Sequence, residues 1–200
     1  WIMLAPPDRV ANEHLLNYWQ PYFRIVRSPF ACFLIANMSR FGLMRHDAGH
    51  HTRAIGKAQA SYRIYAEWGK RPPILKLSTE DNTWGEEQLK ALGLPENARF
   101  VCVHAREGGF SPIDEELHTH RNSRIENTFA AMAEIVRRGD WIIRIGDPSM
   151  SKLPPMPNVV DYAHHALKSP RLDIFLCAQA RFILASSSGI ALVGSVFGTP

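Results

Sequence analysis

From Arg99 onward the chain alternates short unbroken apolar runs with amphipathic stretches, and that alternation limits the folds open to it. "RFVCVH", "WIIRIG", "NVVDYA" and "RFILA" read as strands, rich in β-branched and aromatic residues. Between them "SRIENTFAAMAEIVRRG" and "SPRLDIFLCAQA" read as helices, and "GIALVGSVFG" follows the last strand as a third. Ser123 with Glu126 predicts a capping box, and Gly139 sits where a helix C-terminus favours glycine. Ser169 predicts an N-cap, with Pro170 at the first helical position. Strands alternating with helices predict an α/β fold with a mostly parallel sheet. Strands that are apolar throughout predict a sheet covered on both faces.

The first half is less regular. "VANEHLLNYWQPYF" predicts a helix to about Trp19 or Gln20, ahead of Pro21. "TRAIGKAQASYRIYAEWG" predicts an amphipathic helix with Ile55, Ala58, Tyr62 and Tyr65 near one face. "RPPILKL" reads as a proline-rich crossing and "GEEQLKALGLP" as a short helix before the strand at Arg99. A boundary is expected near residue 75, giving units 1–75 and 76–200.

Composition removes several classes of protein. With 200 residues, 46% hydrophobic and 21% charged, the chain can build a normal core. A net charge of +4 without a Lys/Arg run suits anionic ligands and does not call for nucleic acid. No apolar run reaches the roughly 18 residues of a membrane helix, and no signal peptide pattern is present. Cys32, Cys102 and Cys177 are few and far apart, as in a reducing, cytoplasmic setting. Trp1 at the start and "VFGTP" at the end suggest a piece of a longer protein, truncated within its last domain.

In an open parallel sheet, ligands bind beyond the carboxyl ends of the strands. Three such ends here carry polar residues. The first offers His104, Arg106, Glu107, Gly108 and Gly109. The second offers Gly146, Asp147 and Pro148. The third offers Ser186, Ser187, Ser188 and Gly189. Arg106 suits phosphate oxygens. The serine turn opens a helix, whose free N–H groups and dipole favour an anion. Asp147 suits sugar hydroxyls, and Gly108 with Gly109 permits close backbone approach. Each also has a plain structural reading: a surface ion pair for Arg106, caps for the serines, a turn for Asp147, a backbone bond for His104. Arg121 and Asn122, in "HTHRNS", either sit in a solvated loop or reach over the same cleft. His46, His50 and His51 have partly helical spacing but lack an evident fourth zinc ligand. Walker, G-x-S-x-G and G-x-G-x-x-G patterns are absent.

"FVCVHAREGGFSP", "HRNSRIEN", "RGDWIIRIGDPSM", "VVDYAHHALKS", "DIFLCAQARFILASSSG" and "FGTP" resemble, in that order, a family of bacterial glycosyltransferases. "VANEHLLNYWQPYF" and "WGKRPPILKL" are similar to it too, so the resemblance covers nearly the whole chain. More distantly, His-x-Arg at the strand end, "GDPS" and the serine turn resemble the donor half of GT-B fucosyltransferases. The resemblance implies a Rossmann-like donor domain at 76–200 and part of an acceptor-side domain at 1–75. It implies that His104 and Arg106 lie at the donor site, with Arg106 on the pyrophosphate, and by their own residue types Gly108, Arg121 and Asn122 join the same donor site. Asp147 would lie near the nucleoside, and Ser186, Ser187, Ser188 and Gly189 would hold phosphate. Asn12 and His14 would fall on the acceptor side. Where fucosyltransferases tend to carry a second basic residue, this chain has Glu107, so the sugar identity does not carry over.

The implied reaction is sugar transfer from a nucleotide-diphosphate sugar to a hydroxyl of a glycan or other acceptor, in bacterial glycan biosynthesis. Arg106 and the serine turn would stabilise the departing pyrophosphate. Glu107, His14 or His118 would take the acceptor proton. No cofactor and no metal is called for, since no Asp-x-Asp pair is present. The rivals are a non-catalytic Rossmann-like module that binds a nucleotide or glycan, and a metal-dependent hydrolase built on the 46–51 histidines.

Overall fold

The computed structural model describes residues 2–40, 68–110 and 118–200, arranged as two compact units, Trp1–Pro72 and Pro73–Pro200. The histidines at 46, 50 and 51, and nearly all of the helix expected at 52–69, lie outside the described residues.

In the first unit, β1 (Ile2–Leu4) pairs in parallel with β2 (Arg24–Val26), and α1 (Glu13–Trp19) connects them. Helix α1 starts later than "VANEHLL" suggests, because Asn12 is extended at φ −148° and its Oδ1 accepts the Leu15 N–H at 2.9 Å. Helix α2 (Pro29–Arg40) follows. Neither strand nor α2 was anticipated from the sequence.

The second unit is a mixed α/β domain with a four-stranded, wholly parallel sheet in the order β5–β4–β3–β6. Its elements are α3 (Thr79–Ala91), β3 (Phe100–His104), α4 (Phe129–Arg137), β4 (Trp141–Arg144), β5 (Val159–Val160), α5 (Pro170–Gln179), β6 (Ile183–Ala185) and α6 (Gly189–Phe197). Every residue of β3 is buried. Phe100 and Cys102 turn to one face, packing with Leu172, Phe175 and Leu176 of α5. Val101 and Val103 turn to the other, packing with Met132 of α4. Burial on both faces explains the unbroken apolar run, and each such side chain contributes roughly 1.5–3 kcal/mol. Ser169 caps α5 through the Leu172 N–H, with Pro170 opening the helix as its sequence predicts.

The capping box expected at Ser123 does not form. Residues Ile125–Thr128 make a 3₁₀ turn, and α4 begins only at Phe129. The backbone N–H of Ser123 instead donates to the Arg106 carbonyl at 2.8 Å, which holds this segment against the end of β3. Helix α3 starts earlier than "GEEQLKALG", capped by Ser78 Oγ on the Asp81 N–H. Among the described residues, no helix is long and apolar enough to cross a membrane.

Candidate functional site

β3 ends at His104, and its neighbours β4 and β6 lie on either side. The His104 ring is buried, with Nδ1 3.1 Å from the Ile145 carbonyl. That contact requires an Nδ1–H donor, so the neutral ring keeps Nε2 as an acceptor. Nε2 is buried without a hydrogen-bond partner. Burial holds the His104 pKa below its ordinary value, partly offset by the bond to Ile145.

The end of β3 is fastened to the serine turn after β6. The Ser186 N–H donates to the His104 carbonyl at 3.0 Å, and the Arg106 N–H donates to Ser186 Oγ at 2.7 Å. The Arg106 guanidinium donates to Asn122 Oδ1 and, at 3.2 Å, to the His118 carbonyl. Arg121 reaches the same turn, its Nη2 lying 2.8 Å from the Ser187 carbonyl and 3.4 Å from Ser187 Oγ. Ser188 is the extended residue before α6, its side chain makes no capping bond, and Gly189 opens the helix. His104, Arg106, Arg121, Asn122 and the 186–189 turn are therefore brought together, with the Arg121 guanidinium and the Arg106 backbone on the turn before α6 and the Arg106 guanidinium on Asn122.

Glu107 and Gly108 face a different space. With Asn122, Arg124, Glu126 and Ser151 they line an open pocket of about 320 Å³. Glu107 Oε2 accepts both the N–H and the Oγ–H of Ser151 at 2.8 Å, and Oε1 lies 3.4 Å from Arg144 Nη2. Arg144 is fully buried at the end of β4 and also donates to Asp161 and to the Ser151 carbonyl, each at 3.0 Å. Asp161 Oδ2 takes the Leu153 N–H at 3.0 Å. The loop after β4 is thus stitched down by side chains from three strand ends.

Asp147 accepts the N–H and hydroxyl of Ser149 within its own turn. Gly109 sits at φ +117°, a conformation side-chain-bearing residues rarely adopt, and a Cβ there would lie 2.8 Å from Ser149 Oγ. The His118 ring packs edge-on to His120, and its Nδ1 is buried without a hydrogen-bond partner. Asn12 and His14 belong to the first unit, where Asn12 caps α1 and His14 packs edge-on to Tyr18. Among the described residues, no group of three or more His, Cys, Asp or Glu side chains is placed to hold a metal ion.

Sequence reasoning passed over Arg144, Ser151 and Asp161. The signal was there for Arg144: one charged residue inside "WIIRIG", a strand otherwise apolar throughout. In a sheet covered on both faces such a residue must carry its counter-charges with it.

No family model, no curated protein and no solved structure matches the chain. The fold and the side-chain chemistry therefore carry the functional argument.

Proposed function

We propose that the chain is a glycosyltransferase of the GT-B type, moving a sugar from a nucleotide-diphosphate sugar to an acceptor hydroxyl without a metal ion. One observation carries this reading. The Arg106 backbone N–H and the Arg121 guanidinium, from one loop system, are tied to the serine turn that opens α6, and Asn122, next to Arg121 in the chain, holds the Arg106 guanidinium. As a glycosidic bond to a diphosphate stretches, negative charge collects on the leaving phosphates. A pair of guanidinium groups and a helix N-terminus are suited to stabilise it. In this reading 76–200 is the donor domain, 1–75 is part of the acceptor-side domain, and the work is bacterial glycan biosynthesis in the cytoplasm. Glu107 is given a holding role, since Ser151 and Arg144 already engage its carboxylate.

That engagement favours a second reading, a nucleotide- or glycan-binding module without turnover. Release of free sugar from a donor, or its transfer to a hydroxyl acceptor, rules the second reading out.

The first test is a thermal-shift series with UDP, GDP, CMP, dTDP and their common sugar conjugates, on this chain and on Arg106→Ala. One nucleotide is expected to raise the midpoint, by mass action on the folded state, and the variant is expected to lose that rise. Equal response of wild type and variant to every nucleotide overturns the assignment of Arg106.

A further inference from the structure

The pocket beside Glu107 differs in chemistry from the arginine and serine edge. Its charged lining is Glu107, Glu126 and Arg124, with Arg124 Nε and Glu126 Oε2 3.5 Å apart. Two carboxylates against one guanidinium disfavour a phosphate. The remaining lining is hydroxyl and amide, from Ser123, Ser151 and Asn122, over the buried Ile125. Carboxylates, hydroxyls and an amide suit a ligand with many O–H groups.

Glu107 is built for one such contact. An ionised carboxylate offers about four acceptor positions. Two on Oε2 are taken by Ser151 and one on Oε1 by Arg144, so one on Oε1 is left. The side chain keeps 19% exposure and lines the pocket. Arg144, with no exposure and a third bond to the Ser151 carbonyl, fixes the carboxylate and the serine in one orientation. A carboxylate that binds hydroxyls gains from being held rigid before the ligand arrives.

We propose that this pocket binds the hydroxyl face of a neutral sugar, with Glu107 Oε1 and the Glu126 carboxylate accepting from ring hydroxyls. It rests on the sugar-transfer reading and adds to it where the sugar itself sits. The sugar belongs either to the donor or to the acceptor.

The test is saturation-transfer NMR on the full chain with glucose, galactose, mannose, fucose and N-acetylglucosamine, alongside the nucleotide thermal shifts. At least one sugar is expected to receive saturation. Glu107→Gln should weaken that sugar about tenfold or more, the scale of losing a hydrogen bond to a charged group. Glu126→Gln, on a half-exposed side chain at the rim, should weaken it severalfold and decides the matter if Glu107→Gln does not fold. No saturation by any sugar, or saturation equal in wild type and every folded variant, overturns the pocket assignment. Nucleotide stabilisation without sugar saturation overturns the pocket alone. Sugar saturation without any nucleotide response supports the pocket and overturns the transferase reading. Saturation abolished by the matching nucleotide sugar, and not by the bare nucleotide, identifies the donor's sugar; saturation that persists identifies the acceptor's.

Discussion

Glu107 Oε1 lies 3.4 Å from Nη2 of Arg144, and that arginine has no solvent exposure at all. The pair joins the loop after β3 to the end of β4, and Asp161 extends it to the segment after β5. A guanidinium is costly to bury, and two carboxylates and a carbonyl offset that cost here.

Arg144→Met is therefore expected to destabilise the second unit by roughly 3 kcal/mol, because Glu107 and Asp161 lose their shared counter-charge. Both carboxylates keep about a fifth of their exposure, which places the loss at the lower end for a broken buried pair. Arg144→Lys should recover only part, since an ammonium cannot fork to Asp161 and Glu107 together. Urea denaturation checks this through the midpoint, and variants within 0.5 kcal/mol of wild type, about the scale of a neutral surface change, would refute it.

His104 predicts a pH dependence. Its folded pKa lies below the ordinary 6.5, so as pH falls through that value the unfolded chain takes up a proton that the folded chain refuses. The unfolded state then binds more protons, and stability falls with decreasing pH until the folded ring titrates as well. His104→Gln should flatten this component in the range that opens as pH falls through about 6.5. Denaturation midpoints over that range measure it, and identical slopes for wild type and variant would remove the assignment.

Gly85 sits inside α3, where alanine would ordinarily gain about 1 kcal/mol of helix propensity. Here a Cβ would lie 2.1 Å from the Phe175 ring of α5. The close approach of the two helices outweighs propensity, so Gly85→Ala should destabilise by a net 1–3 kcal/mol, the usual range for overpacking. A raised melting temperature would mean that the ring moves aside freely.

Arg121→Ala should weaken binding of the matching nucleotide diphosphate by roughly 1.5–3 kcal/mol, the value of a charge-assisted hydrogen bond. It also removes the tie to Ser187. Titration calorimetry at fixed ionic strength reads the change, and an unaltered affinity argues against any phosphate at this turn.

The sequence made the second unit legible because its local and tertiary signals agree. Ser169 and Pro170 mark the start of α5, and the packing of Phe175 and Leu176 confirms it. The first unit was harder. Ser28–Pro29 has the same pattern as Ser169–Pro170, and Ser28 Oγ indeed accepts the Ala31 N–H at 3.3 Å, but the helix it opens was missed. Strands of three residues, such as Ile2–Leu4, are too short to show a period. The capping box at Ser123 failed for a tertiary reason, its backbone being held by Arg106. At the candidate site, the residue types at the strand ends were legible. What was not legible is that they divide into two environments, an arginine and serine edge and a carboxylate-lined pocket, because that depends on the buried Arg144 behind the wall.

The bond from the Arg106 N–H to Ser186 Oγ spans 80 positions of sequence, although β3 and β6 are sheet neighbours. During synthesis β3 and β4 can pair while β6 is still inside the ribosome. The serine turn and the helix end behind it reach Arg106 only when β6 inserts along the open edge of β3. The pairing of β3 with β4 thus comes before the serine turn closes on Arg106, and the edge proposed to meet a phosphate is completed only after that part of the sheet has formed.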